Sequence, residues 1–148
     1  MTDLVRIGRG TTVRLPAMGK EGVDNVRYLE SAVLELPQAD IRTDHAFHAG
    51  MYARTILVPA GVVLTGALVK IPTVLIISGD ALVYGENGPE RYAGYHVALG
   101  ECGRKQAVYA FEDTYFTMLF PTDATTVEEA EMEFTNEYEN LLSRKECA

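Results

Sequence analysis

Few residues in this chain have the chemistry for catalysis, and their spacing speaks against most reactions. The three histidines are His45, His48 and His96. Together with Asp44 or Glu112 they could hold a divalent ion or exchange a proton, because neutral ring nitrogens and carboxylate oxygens are the donors such ions take. No fourth partner stands at ligand-type spacing. The histidines therefore read as surface or strand-end residues, with a displaced metal site at His45, His48 and His96 as the alternative. Cys102 and Cys147 lack metal-ligand spacing and are expected as reduced thiols, a bridge between them being the other option. Cys102 has no activating histidine close in sequence, and a reactive thiol needs surroundings that lower its pKa. Ser31, Ser78 and Ser143 lie in no nucleophile-elbow pattern. Gly100, Gly103, Arg104 and Lys105 could cradle an anion, but no helix follows them, so an exposed turn is expected there. Tyr84, Tyr92, Tyr95, Tyr109 and Tyr115 could stack on sugars or bases. Placed among small and β-branched residues, they read as core and rim instead.

The elements that position these residues fall into three regions. Residues 1–43 mix short apolar pieces with polar turns and are expected to be an arm of strands and loops over one side of the core. Val13-Arg14-Leu15 and Val33-Leu34-Glu35-Leu36 each precede a proline, which pushes its predecessor into extended backbone. Tyr28 to Ala32 fits one helical turn or a strand. Residues 44–121 carry apolar runs of four to eight residues between glycine-containing turns such as Pro59-Ala60-Gly61, Ser78-Gly79-Asp80 and Glu86-Asn87-Gly88. Turns at this density, with no helix-length segment between them, predict an antiparallel sandwich or barrel. Residues 122–148 predict an acidic amphipathic helix. Thr126 and Glu129 form a capping box, Val127, Ala130, Phe134, Tyr138 and Leu141 recur every three or four residues, and Arg144 and Lys145 suit its last turn.

The stretch from Tyr52 to Gly61, with Leu64-Thr65-Gly66, Ser78-Gly79-Asp80, Gly94-Tyr95 and Glu112-Asp113-Thr114, resembles the cupin-like proteins of bacteriophages and prophages. The resemblance runs from about His45 to Pro121 and reaches into the acidic tail. It implies a single cupin-type jelly roll. Metal-binding cupins carry two histidines and a carboxylate in a first motif and a further histidine in a second. Here residues 60–79 contain no His, Asp, Glu or Cys, and no histidine follows His96. Against the family pattern, Val69 and Thr73 occupy first-motif positions and Phe111 the second-motif position. The resemblance thus implies a vacated metal centre, a pocket filled by apolar groups, no cofactor and no enzymatic activity.

The bulk properties narrow the partners. The chain has 148 residues and a formal charge of -8, and its basic residues are scattered, so no nucleic-acid surface is expected. No apolar stretch approaches the ~20 residues that span a bilayer, and the N-terminus lacks a secretory pattern. Phage relatives imply synthesis in a bacterial cytoplasm and residence in the virion, as a capsid decoration (cement) protein or a tail or fibre attachment protein. Such a protein acts as a homo-oligomer with other virion proteins. Two interaction surfaces are expected: the N-terminal arm, which could add a strand to a neighbour's sheet, and the helix stripe of Val127, Phe134, Tyr138 and Leu141. The same stripe could instead cap its own barrel. The alternatives are a metal-dependent cupin enzyme with the displaced histidine site, and a cupin that binds a small ligand or carbohydrate.

Overall fold

The computed structural model describes residues 13–141. Strands β1 (Val13–Leu15), β2 (Arg42–His48), β3 (Met51–Val58), β4 (Val63–Thr65), β5 (Thr73–Gly85), β6 (Gly88–Gly100), β7 (Ala107–Ala110) and β8 (Thr114–Pro121) form one sheet, with helices α1 (Lys20–Val33) and α2 (Val127–Phe134) outside it. Its main path runs β1-β6-β5-β8-β3-β2, while β7 joins β5 and β4 joins β7. Every pairing is antiparallel except that of β1 on β6.

The long hairpin of β5 and β6 belongs to both layers. Residues 74–78 of β5 pair with β8, and residues 81–84 pair with β7. The change of partner falls at Gly79, whose φ is +147° and where an added Cβ would stand 2.5 Å from Thr114 Oγ1. Only glycine tolerates both conditions. Ser78-Gly79-Asp80, expected as a turn, is therefore a bend inside a continuous strand. Glu86-Asn87 is the tight hairpin connection that the sequence predicts.

Side chains alternate across these strands as the pleat requires. Val58, Ile77, Ala81, Val83, Ala98 and Phe116 point inward and form the main core. A second cluster, Tyr52, Phe120, Ala130 and Phe134, seats α2 on the barrel.

Two expectations about the flanking segments need correction. The arm contains a 14-residue helix, and Val33 to Leu36 form its end and a turn rather than a strand. Gly19, at the N-cap, offers no side-chain oxygen. Its N–H donates to Glu86 Oε1 at 2.8 Å, a carboxylate 67 residues away on the β5–β6 hairpin. α1 buries Val26 against Met18 and Ala107. The C-terminal helix is shorter than its apolar spacing predicts. Thr126 caps it through Glu129 N–H at 3.2 Å, as expected, but the helix stops at Phe134. Thr135 then turns extended and bridges Val69, while Lys70 N–H donates to the Phe134 carbonyl. Pairing with the barrel rim outcompetes helix propagation there, and Tyr138 lies in a separate 3₁₀ turn. Arg144, Lys145 and Cys147 lie outside the described residues.

Candidate functional site

Inward-facing residues do not fill the barrel. They leave a cavity of about 220 Å³. Ile56 from β3, Leu75 and Val83 from β5, Val108 from β7 and Phe116 and Met118 from β8 supply an apolar wall. Phe134 and Leu141 line it at the end near α2. The expectation of a pocket plugged by apolar groups is thus corrected: the groups are apolar, but short β-branched and aliphatic side chains do not reach across.

Val69 and Thr73 line this cavity. Phe111 does not. It is exposed beyond the start of β8, against Tyr109 and with the Arg91 guanidinium 4.4 Å from its ring centre. The aromatic of that region that faces the cavity is Phe116, five positions on, because strand alternation from Thr114 turns it inward.

The histidines are not brought together. His45, on edge strand β2, has its Nδ1 2.6 Å from the Tyr52 hydroxyl and stacks on that ring. His48 is exposed at the end of the same strand. His96, on β6, meets the Ala93 carbonyl at 2.8 Å through Nε2 and packs edge-on to Tyr92. β2 and β6 are separated by three strands. Among the described residues no group of three His, Cys, Asp or Glu is placed to hold an ion. Cys102 is exposed.

Charge enters the site through residues that sequence reasoning put elsewhere. Arg104 and Lys105, expected in an exposed turn, are 3% and 0% exposed. Lys105 Nζ reaches Glu137 Oε1 at 2.8 Å, Glu30 Oε2 at 3.0 Å and the Gly66 carbonyl at 3.0 Å. Arg27 of α1 holds the other oxygen of Glu137 at 2.9 Å. This latch ties α1, the β6–β7 loop and the segment after α2 together over the barrel mouth. Burial works to raise the pKa of Glu137. Hydrogen bonds from Lys105 and the Leu68 N–H, with the charge of Lys105 and the contact from Arg27, outweigh it and hold the carboxyl below its ordinary value.

Arg54, on β3, is buried against Glu131 of α2 at 2.9 Å and lies over the Phe134 ring. Arg104 is different. Its guanidinium donates to the Thr73 hydroxyl at 2.7 Å, to Gln106 Oε1 at 3.2 Å and to the Glu101 carbonyl. Among the described residues no carboxylate lies within ion-pair distance of it. Burial lowers its pKa to about 10 against weaker opposing effects from Glu101 and Cys102. It reaches Thr73, which also lines the cavity, by lying flat on Gly100, where an added Cβ would come within 2.4 Å of Cζ. Thr43 adds a buried hydroxyl to the cavity wall with no hydrogen-bond partner among the described residues.

The interface residues expected on the helix serve the chain's own barrel instead. Phe134 is buried, Leu141 packs against the same cluster, and Val127 and Tyr138 are half-buried. The expected arm likewise stays home from Val13 onward, with β1 on β6 and α1 on the barrel.

No family model matches the chain, and no curated protein is similar to it in sequence. Solved structures are similar in fold. Ectoine synthase from P. lautus superposes with a TM-score of 0.50 at 14% identity, over 66% of this chain and 75% of that one. KdgF from Halomonas sp. gives 0.47 at 16% identity, over 62% and 91% of the two chains. A cupin superfamily protein from Desulfitobacterium hafniense gives 0.48 at 10% identity, over 63% and 87%. The fold of this chain is a cupin-type antiparallel jelly roll with two helices, one of them C-terminal.

Proposed function

We propose that this chain is a non-enzymatic structural protein of a bacteriophage particle, a capsid decoration or a tail or fibre attachment protein that acts as a homo-oligomer. The phage setting is supported by the sequence resemblance. Assembly is supported by one observation, the outer face of the main sheet. In register across the four central strands stand Leu99, Val74, Leu119 and Ala53, then Val97, Ile76, Thr117 and Thr55, then Tyr95, Ser78, Tyr115 and Leu57. None is charged, and Tyr95, Val97 and Tyr115 are exposed. Charges flank these rows, as Arg14 on β1, Arg42 and Asp44 on β2, and the Asp80–Arg91 pair further along β5 and β6.

The occupant this face fits is a second copy of the chain. Five strands of three rows and the single row of β1, each position ~4.8 Å by ~6.8 Å, make roughly 520 Å² per partner, close to the least area that a specific interface buries. A two-fold axis parallel to the strands lays β1 of one copy over β2 of the other, with Arg14 level with Ala46 and one row from Asp44. Purified protein is expected to sediment as a dimer with a melting temperature that rises with concentration, and Ile76→Arg as a folded monomer whose melting temperature does not. Mass spectrometry of purified particles is expected to find the chain at high copy number. A wild-type monomer at ~100 µM, far above the dissociation constants of specific interfaces, or absence from particles refutes the proposal.

A second reading, a small-ligand-binding cupin, is favoured by the unfilled cavity. It does not compete with assembly, because the cavity lies inside the barrel and the dimer face outside it.

A further inference from the structure

We infer that the barrel cavity binds a small carboxylate with an apolar body, its anionic end on Arg104 and its body against Ile56, Leu75, Val108 and Phe116. This rests on the ligand-binding reading above and adds the chemical class.

Three buried cations stand around the cavity, and two are neutralised. Arg54 has Glu131, and Lys105 has Glu30 and Glu137. Among the described residues Arg104 has only neutral oxygens within hydrogen-bond distance. A buried charge without a counter-ion is costly, and an anion that enters removes the cost. A guanidinium carries five N–H donors in a fixed plane, and a carboxylate accepts from two of them side by side. The three hydrogen bonds of Arg104 engage Nε and each terminal nitrogen once, leaving one N–H on each terminal nitrogen for an incoming anion. Thr43 presents an unpartnered hydroxyl to the same cavity. Glu30 and Glu137, also in its wall, share Lys105, and Glu137 also pairs with Arg27, so two cations balance the two carboxylates where a ligand would enter.

Size narrows the class. An apolar cavity of ~150 Å³ takes benzene, so about 220 Å³ suits a molecule of roughly nine heavy atoms on the same scale. Thr73 and Gln106 are the polar groups beside Arg104, while Ile56, Leu75, Val108, Phe116 and Met118 make the opposite wall apolar, which favours a single acidic group on an apolar body over a polyphosphate.

The test uses the full chain, with benzoate as probe and benzyl alcohol as its neutral counterpart, by isothermal titration calorimetry and thermal shift. Benzoate is expected to bind at least ~10-fold tighter than the alcohol, the worth of a charge-assisted hydrogen bond. Arg104→Met is expected to abolish that preference and leave the affinity for benzyl alcohol within about threefold, the ordinary spread for a contact not made. Equal binding of both probes to wild type overturns the carboxylate assignment while leaving a ligand cavity. Binding of neither at millimolar concentration overturns the ligand-binding reading as well. Should Arg104→Met fail to fold, the wild-type ratio decides by itself.

Discussion

Replacing Gly100 by alanine tests how firmly Arg104 is fixed. The new methyl carbon would lie 2.4 Å from Arg104 Cζ and 2.6 and 2.7 Å from its two terminal nitrogens. The end of an arginine normally swings aside at little cost. Here it is 3% exposed and pinned by Thr73, Gln106 and the Glu101 carbonyl, so any movement breaks hydrogen bonds to a buried charge. Each such bond is worth about 1.5–3 kcal/mol, and overpacking adds about 1–3 kcal/mol. Because the guanidinium keeps some bonds after shifting, a loss of about 3 kcal/mol is expected, or a fall in melting temperature of roughly 6–12 °C for a chain of this size. The assay is thermal and urea unfolding of Gly100→Ala, Arg104→Ala and the double variant. With the guanidinium gone the methyl has room, so Gly100→Ala should cost less than about 1 kcal/mol in the Arg104→Ala background. Equal costs in the two backgrounds would show that the arginine does not occupy that space, and the account of the cavity charge would go with it.

Other outcomes follow from the same contacts. Arg54→Met leaves the Glu131 carboxylate buried without its guanidinium and is expected to destabilise by about 3–5 kcal/mol, with Arg54→Met/Glu131→Leu recovering at least half of this in urea unfolding. Glu137 has a folded pKa below its ordinary 4.5, so the stability it confers is complete above that value and lost as pH falls through the folded one. Melting temperature should drop below pH 4.5 more steeply in wild type than in Glu137→Gln. Phe116→Ala, inside the barrel, is expected to cost about 3–5 kcal/mol, whereas Phe111→Ala, on the surface beneath Arg91, should cost about 1 kcal/mol or less by chemical unfolding. The reverse order would restore Phe111 to the interior.

What the sequence made legible was whatever depends on near neighbours. Strand alternation, the Glu86-Asn87 hairpin and the Thr126 cap are all written within a few residues, and each appears where expected. α1 escaped because its N-terminal acceptor, Glu86, comes from across the fold and its apolar stripe is thin, with Val26 its one fully buried residue. α2 was overextended because the spacing of Tyr138 and Leu141 continues its stripe, while the bridge from Val69 to Thr135 that ends it is a long-range contact. That Val69 and Thr73 fall in the cavity wall agrees with their place in the sequence pattern, but Phe111 could not be told from Phe116 without knowing where β8 begins. Arg104 and Lys105 looked like a solvated pair, since nothing local reveals that Thr73, Glu30 and Glu137 will surround them.

Adjacent in sequence, those two cations divide the work of the site. Lys105 is saturated by two carboxylates and a carbonyl, so it holds segments together and has nothing left to offer a ligand. Arg104 is held by neutral oxygens alone, which fix its position without cancelling its charge. A metal-binding barrel obtains its central positive charge from an ion and fixes it with imidazoles and a carboxylate. In this chain the Thr73 hydroxyl steadies a guanidinium in the cavity wall. A guanidinium can orient and neutralise an anion, but it offers no open coordination position and does not acidify a bound water as a metal does. The described residues thus place a positive charge in the cavity wall in a form suited to holding a molecule, as the proposed ligand reading requires.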